Sequence, residues 1–263
     1  MPLEARILGC GSSSGVPRVG LHGPDWGACD PSDPRNRRTR CSLLVRTDGF
    51  NILIDTSPDL REQMLLAGDA QIHTVLYTHD HADQTHGIDD LRAIAYAMRR
   101  RMPVFADGET LGALRARFGY CFDTPPGSGY PPILDARVIP EPLAPFRLDG
   151  GIEVVPFGQT HGRIRSLGFR IGPVAYSSDV SALDDAAFAA LEGVECWIVD
   201  ALRDDPHPTH SHVEQSLAWI ERVKPRQAIL TNLHIDLDYA ELSGRLPKGV
   251  VAGYDGLTFV SAS

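Results

Sequence analysis

Apolar and polar residues follow one another in short blocks along this chain, and the blocks switch between a two-residue and a helical period. Residues 42–47 and 50–54, Ser-Leu-Leu-Val-Arg-Thr and Phe-Asn-Ile-Leu-Ile, read as a hairpin turned at Asp48-Gly49. A helix follows, with Ser57 predicted as N-cap, Pro58 in the first turn and Gly68 closing it. Residues 73–77 form a β-rich run, and 88–99 and 109–118 carry helical spacing on either side of a strand at 103–105. The second half repeats the style. Strands are predicted at 151–156 and 167–176 (broken at Gly172-Pro173), at 196–200 and at 228–230. Helices are predicted at 182–191 and 212–223, each opened by a capping box, Ser181 with Asp184 and Ser211 with Glu214. Hairpins beside β-α-β units in both halves predict two sheets packed face to face with helices outside, in one α/β domain over residues 1–263.

The polar residues of chemical interest fall just past strand ends, where open sheets place ligands. The densest group is His79-Asp80-His81-Ala82-Asp83, with Gln84 and His86 after it. In an extended segment alternate residues share a side, so His79 and His81 can grip one metal while Asp83 reaches toward a second. His161, Asp179 and His234 follow three further strand-like runs. Imidazole with carboxylate is the donor set expected for zinc or manganese.

The string Thr-His-Asp-His-Ala-Asp with Gly87-Ile88-Asp89-Asp90-Leu91-Arg92 resembles the His-x-His-x-Asp-His signature of the metallo-β-lactamase superfamily. The Gly-rich opening from Leu8 to Pro17, the Arg37–Ser42 stretch and the closing Tyr254-Asp255-Gly256 resemble one branch of it. That branch holds the cyclic phosphodiesterase of bacterial phosphonate breakdown, with the tRNA 3′-processing endonuclease more distant. The resemblance implies the four-layer αβ/βα sandwich and two divalent ions, zinc or manganese. His79, His81 and His161 would hold the first ion. Asp179 would bridge to a second, held also by Asp83 and His234, and a hydroxide between the ions would attack phosphorus. Asp55 would brace the ligand loop, and His210 matches the branch's general acid, with Asp83 the other catalytic candidate.

Three departures from the branch qualify this. Gln84 stands where relatives usually have histidine, so the second site is expected to be weak or to favour a harder ion. Asn232 stands where relatives place the last histidine, and His234, two residues on, shares its face if the segment is extended. Third, Cys29 with His22 is too small a set for the structural zinc that relatives carry nearby. Cys10, Cys29 and Cys41 are therefore expected to be buried thiols.

Composition bears on the partners. The formal charge is −9, and among the cations arginine greatly outnumbers lysine. An acidic protein of this kind disfavours a stable nucleic-acid partner, whereas Ser12, Ser13 and Arg18 near the Gly-rich opening suit a small phosphate. No apolar run approaches a membrane span, no signal-peptide order opens the chain, and five scattered cysteines suit the cytoplasm. The expectation is a cytoplasmic phosphodiesterase acting on a small cyclic or nucleotide-like phosphodiester, with a homodimer by analogy to relatives. The alternatives are tRNA 3′-end processing, thioester or lactam hydrolysis, and a non-catalytic metal- or nucleotide-binding module.

Overall fold

A computed structural model describes residues 2–68 and 70–262. Seven strands form the first sheet, in the order Thr258–Val260, Glu4–Gly9, Ser42–Thr47, Phe50–Ile54, Thr74–Leu76, Met102–Ala106 and Leu134–Val138. The second sheet also has seven, ordered Val250–Ala252, Gln227–Thr231, Cys196–Asp200, Val174–Ser177, Ile164–Ile171, Glu153–His161 and Phe146–Arg147. Each sheet joins an antiparallel meander to a block of parallel strands. Parallel strands are covered on both faces, which is why Ile52-Leu53-Ile54 and Trp197-Ile198-Val199 are continuous apolar runs rather than alternating ones.

Three apolar layers follow from that pattern. Ile7, Leu43, Ile52 and Ile54 from the first sheet meet Val154, Phe169, Tyr176 and Ile198 from the second, forming the central core. Leu44, Leu53 and Val75 point the other way, onto Met64, Leu91 and Leu114 of the first set of helices. Trp197, Val199 and Leu230 pack on Ala187, Leu191 and Ile220 of the second set. The result is the predicted αβ/βα sandwich. All five cysteines are free and buried. Among the described residues no helix is long and apolar enough to cross a membrane.

The hairpin turn at Asp48-Gly49 is present with both residues left-handed, at φ 50° and 74°. Gly68 closes its helix at φ 75°. Three predicted caps are not. The helices Leu60–Ala67, Asp185–Leu191 and Val213–Val223 have Asp59, Asp184 and His212 as N-caps. Ser57, Ser181 and Ser211 instead donate their hydroxyls to Gln63 Oε1, the Thr160 carbonyl and the Asp200 carbonyl. The strand predicted at 151–156 is also longer, running from Glu153 to His161 and so delivering that histidine to the sheet edge.

Asp107 joins a helix start to the second sheet. It caps Gly108–Phe122 through the Thr110 amide at 2.8 Å and meets Arg165 at 3.0 Å. Burial alone would raise its pKa, but the Thr110 amide and the Arg165 guanidinium hold it below the usual carboxylate value. A lowered folded pKa contributes stability that is complete above the unfolded value of about 3.9 and is lost as pH falls through the folded one. Asp107→Ala is expected to cost about 1–2 kcal/mol at neutral pH, with the difference shrinking in acid, as urea unfolding at the two pH values would show.

Candidate metal centre

Functional side chains converge where strands of both sheets end. Three of these ends carry a non-glycine residue in the left-handed region: Asp55 at φ 63°, Asp179 at 53° and Asn232 at 61°. Asp and Asn are the residues that tolerate this conformation, and such strain concentrates at sites the surrounding fold holds in place.

Asp55, fully buried, fixes the first ligand. Its carboxylate accepts from the Thr78 amide at 2.8 Å and from the Thr78 hydroxyl at 2.9 Å. That hydroxyl, having donated, accepts from His79 Nδ1 at 2.9 Å. His79 Nε2 therefore keeps its lone pair, and it is a buried atom with no hydrogen-bond partner. His161 is set the same way, since its Nδ1 donates to the Thr209 carbonyl at 2.7 Å and Nε2 is left facing His81 Nδ1 at 3.3 Å. Burial pushes the His79 pKa well down and that of His161 to about 4, so both rings are neutral near pH 7. Ring centroids of His79, His81 and His161 lie 4.6, 5.2 and 5.1 Å apart. Imidazoles converging on one point, with the buried nitrogen of His79 left without a partner, fit a divalent cation.

A second donor group adjoins the first. The ligand atoms of His161, Asp179 and His210 lie within 4.8 Å of one another, as do those of the three histidines. His210 Nδ1 is 2.9 Å from Asp200 Oδ2 and 3.8 Å from Asp179 Oδ1. Burial opposes charge on this ring, but the Asp200 carboxylate outweighs it and, with Asp179 and Asp83, lifts the pKa to about 9. Asp179 moves up, chiefly through its burial.

A cavity of about 630 Å³ opens over these groups, lined among others by Ser13, His81, Asp83, Arg163 and His210. The extended run expected through Asp83 stops at His81, which is the N-cap of a short helix, Ala82–Thr85. The Gln84 amide and the Thr85 hydroxyl both donate to the His81 carbonyl and turn the chain there. Asp83 still faces the cavity, from that helix. Gln84 is fully buried, and its Nε2 donates to Asp179 Oδ2 at 3.0 Å.

His234 lies outside both donor groups among the described residues. The left-handed turn at Asn232 breaks the extended segment, so the two residues do not share a face. Asn232 Nδ2 comes within 3.1 Å of His210 Nδ1, whereas His234 donates to Asp236 at 2.8 Å. Arg18 is paired with Asp25 at 2.8 Å and does not line the cavity. Ser12 is buried with an unpartnered hydroxyl, and only Ser13 reaches the cavity wall. His86 packs on Phe118. Two residues escaped the sequence reading: Asp200, a buried strand-end aspartate just like Asp179, and Arg163, beside Gly162 in the turn after His161.

A four-layer sandwich whose strand ends bring together imidazole and carboxylate donors forms a candidate metal centre at the seam of its two sheets. The chain belongs to the metallo-β-lactamase superfamily, with residues 50–235 matching the beta-lactamase superfamily domain. Within it, the chain falls in the PhnP-like branch. A diphosphatase of the PhnP family is 34% identical, with 99% of this chain and 98% of that one covered at a TM-score of 0.88. Zinc-bound PqqB from Methylobacterium extorquens shares the fold at 19% identity and a TM-score of 0.72, covering 97% of this chain and 99% of that one. An octanoyltransferase of Porphyromonas gingivalis is 36% identical over 255 residues, which are 95% of this chain and 50% of that protein. The chain thus spans about half the length of that curated relative.

Proposed function

We propose that the protein hydrolyses a small cyclic or nucleotide-like phosphodiester, with a divalent ion, zinc or manganese, held by His79, His81 and His161. The observation that carries this reading is the Asp200–His210 pair at the edge of the imidazole cluster. An alkoxide leaving a phosphodiester needs a proton, whereas a thiolate leaving a thioester does not. His210 lines the cavity with Nδ1 engaged by Asp200, which leaves Nε2 as the nitrogen free to donate, and a pKa of about 9 keeps a proton on the ring at neutral pH. The ion, when bound, supplies Lewis-acid stabilisation of the phosphoryl oxygens and activates water. Asp55 and Thr78 keep His79 in register, and Thr209 does so for His161.

Arg163 would meet the substrate's anionic charge. It is exposed on the cavity wall, and no carboxylate pairs with it among the described residues. Arg163→Ala is expected to raise KM about tenfold with kcat held, the size of a lost charge-assisted hydrogen bond. A fall in kcat with KM unchanged would remove it from substrate binding.

A second reading, cleavage of a diphosphate, is favoured by the likeness to the PhnP-family diphosphatase. Purified protein supplied with zinc or manganese should be assayed on a bis-aryl phosphate, a ribose cyclic phosphate, a nucleoside diphosphate and a thioester. Turnover of the ribose cyclic phosphate supports the first reading, and turnover of the diphosphate alone supports the second. Turnover of the thioester alone would overturn both.

A further inference from the structure

The fold family implies two ions, and the residues beside Asp83 and Asp179 do not fit the second. Gln84 is held between these two carboxylates, its Nε2 at 3.0 Å from Asp179 Oδ2 and 3.4 Å from Asp83 Oδ2. Its backbone is equally fixed, because the Gln84 carbonyl accepts from the Thr56 amide at 2.8 Å and its amide donates to the His81 carbonyl. The side chain is fully buried, so the amide has no room to swing out. On the far side stands Asn232, 2% exposed, whose Nδ2 approaches His210 Nδ1 at 3.1 Å. His210 Nδ1 is already engaged by Asp200 at 2.9 Å.

We infer that this chain holds one divalent ion rather than two, the place of the second being taken by the Gln84 carboxamide and the Asn232–His210–Asp200 group. A second cation would need lone pairs aimed at it. Around Asp179 two N–H groups already engage the carboxylates, Gln84 Nε2 on Asp179 Oδ2 and His210 Nδ1 on Asp200 Oδ2, and these leave Gln84 Oε1 and Asp200 Oδ1 as the buried oxygens without a partner. The imidazole expected to complete the second set, His234, lies outside both donor groups among the described residues. The two carboxylates keep a structural use, as acceptors that anchor the Gln84 amide and therefore the turn carrying His81.

This inference rests on the reading that the three imidazoles hold an ion, and a metal count separates the two. The full chain should be loaded with excess manganese, dialysed and analysed for metal per chain, with electron paramagnetic resonance reporting whether ions couple as a pair. The wild type is expected to hold one ion with an uncoupled signal. Gln84→His combined with Asn232→His is expected to hold two, with a coupled signal. Two ions in the wild type, or one in the folded double variant, would overturn the inference, while no ion in the wild type overturns the metal reading itself. Should the double variant fail to fold, Gln84→His alone is expected to bind the second ion at least about tenfold more tightly than wild type, the scale on which a metal's surroundings act. An unchanged titration would count against it.

Discussion

His79→Ala is expected to empty the imidazole cluster and to reduce hydrolysis to background while the fold persists. His79 contributes the one cluster nitrogen that is both buried and without a partner. Disturbing an outer partner of a ligand costs about 10–100-fold in metal affinity, and loss of the ligand itself exceeds that. Thr78→Val, which cuts the Asp55–Thr78–His79 relay but keeps the imidazole, should fall within that smaller range. Metal analysis after dialysis, with circular dichroism to confirm folding, reads both. Full retention of metal by His79→Ala would remove it from the centre.

His210→Ala is expected to slow substrates with poor leaving groups by about 10²–10⁴-fold and activated aryl phosphates far less, because only the former need the proton. The pH profile carries the second half of the test. A ring whose pKa is raised to about 9 remains an acid through neutrality, so the rate should fall only as pH rises through that value. Asp200→Asn removes the charge that outweighs burial, and the alkaline limb should move down toward the ordinary histidine value of about 6.5. Equal losses on both substrate types, or an unmoved limb in Asp200→Asn, would take the proton from His210. On a diphosphate, whose leaving phosphate needs no proton, His210→Ala should cost little.

Much of the centre was legible because strand ends are easy to read. A buried apolar run that stops at His, Asp or Thr-His marks a rim position, and His79, His81, His161 and Asp179 all came together. What the sequence concealed is where the extended backbone breaks. Alternation predicts that Asn232 and His234 share a face, yet one left-handed residue sends them to different neighbours. The same break, by a helical turn after His81, changes how Asp83 enters the cavity. Helix starts were misplaced for a related reason. Ser57, Ser181 and Ser211 look like caps, but the Ser57 hydroxyl serves the Gln63 side chain in the helix itself, those of Ser181 and Ser211 serve carbonyls of preceding strands, and the cap moves downstream. Arg163 gave no signal beyond a charged residue next to a turn glycine, which most hairpins can show.

The imidazole cluster has one more property, which follows from where its members are rooted. His79 and His81 leave the first sheet, and His161 ends a strand of the second. An ion there is a rivet through the seam of the sandwich, added to the apolar core and to polar links such as Asp107–Arg165 that already join the halves. Binding to the folded state alone raises its stability in proportion to the logarithm of free metal, by about 2.7 kcal/mol at a hundredfold excess over Kd. The melting temperature of this protein should therefore track the metal in its surroundings, and scarcity of that metal would withdraw catalysis and cohesion together.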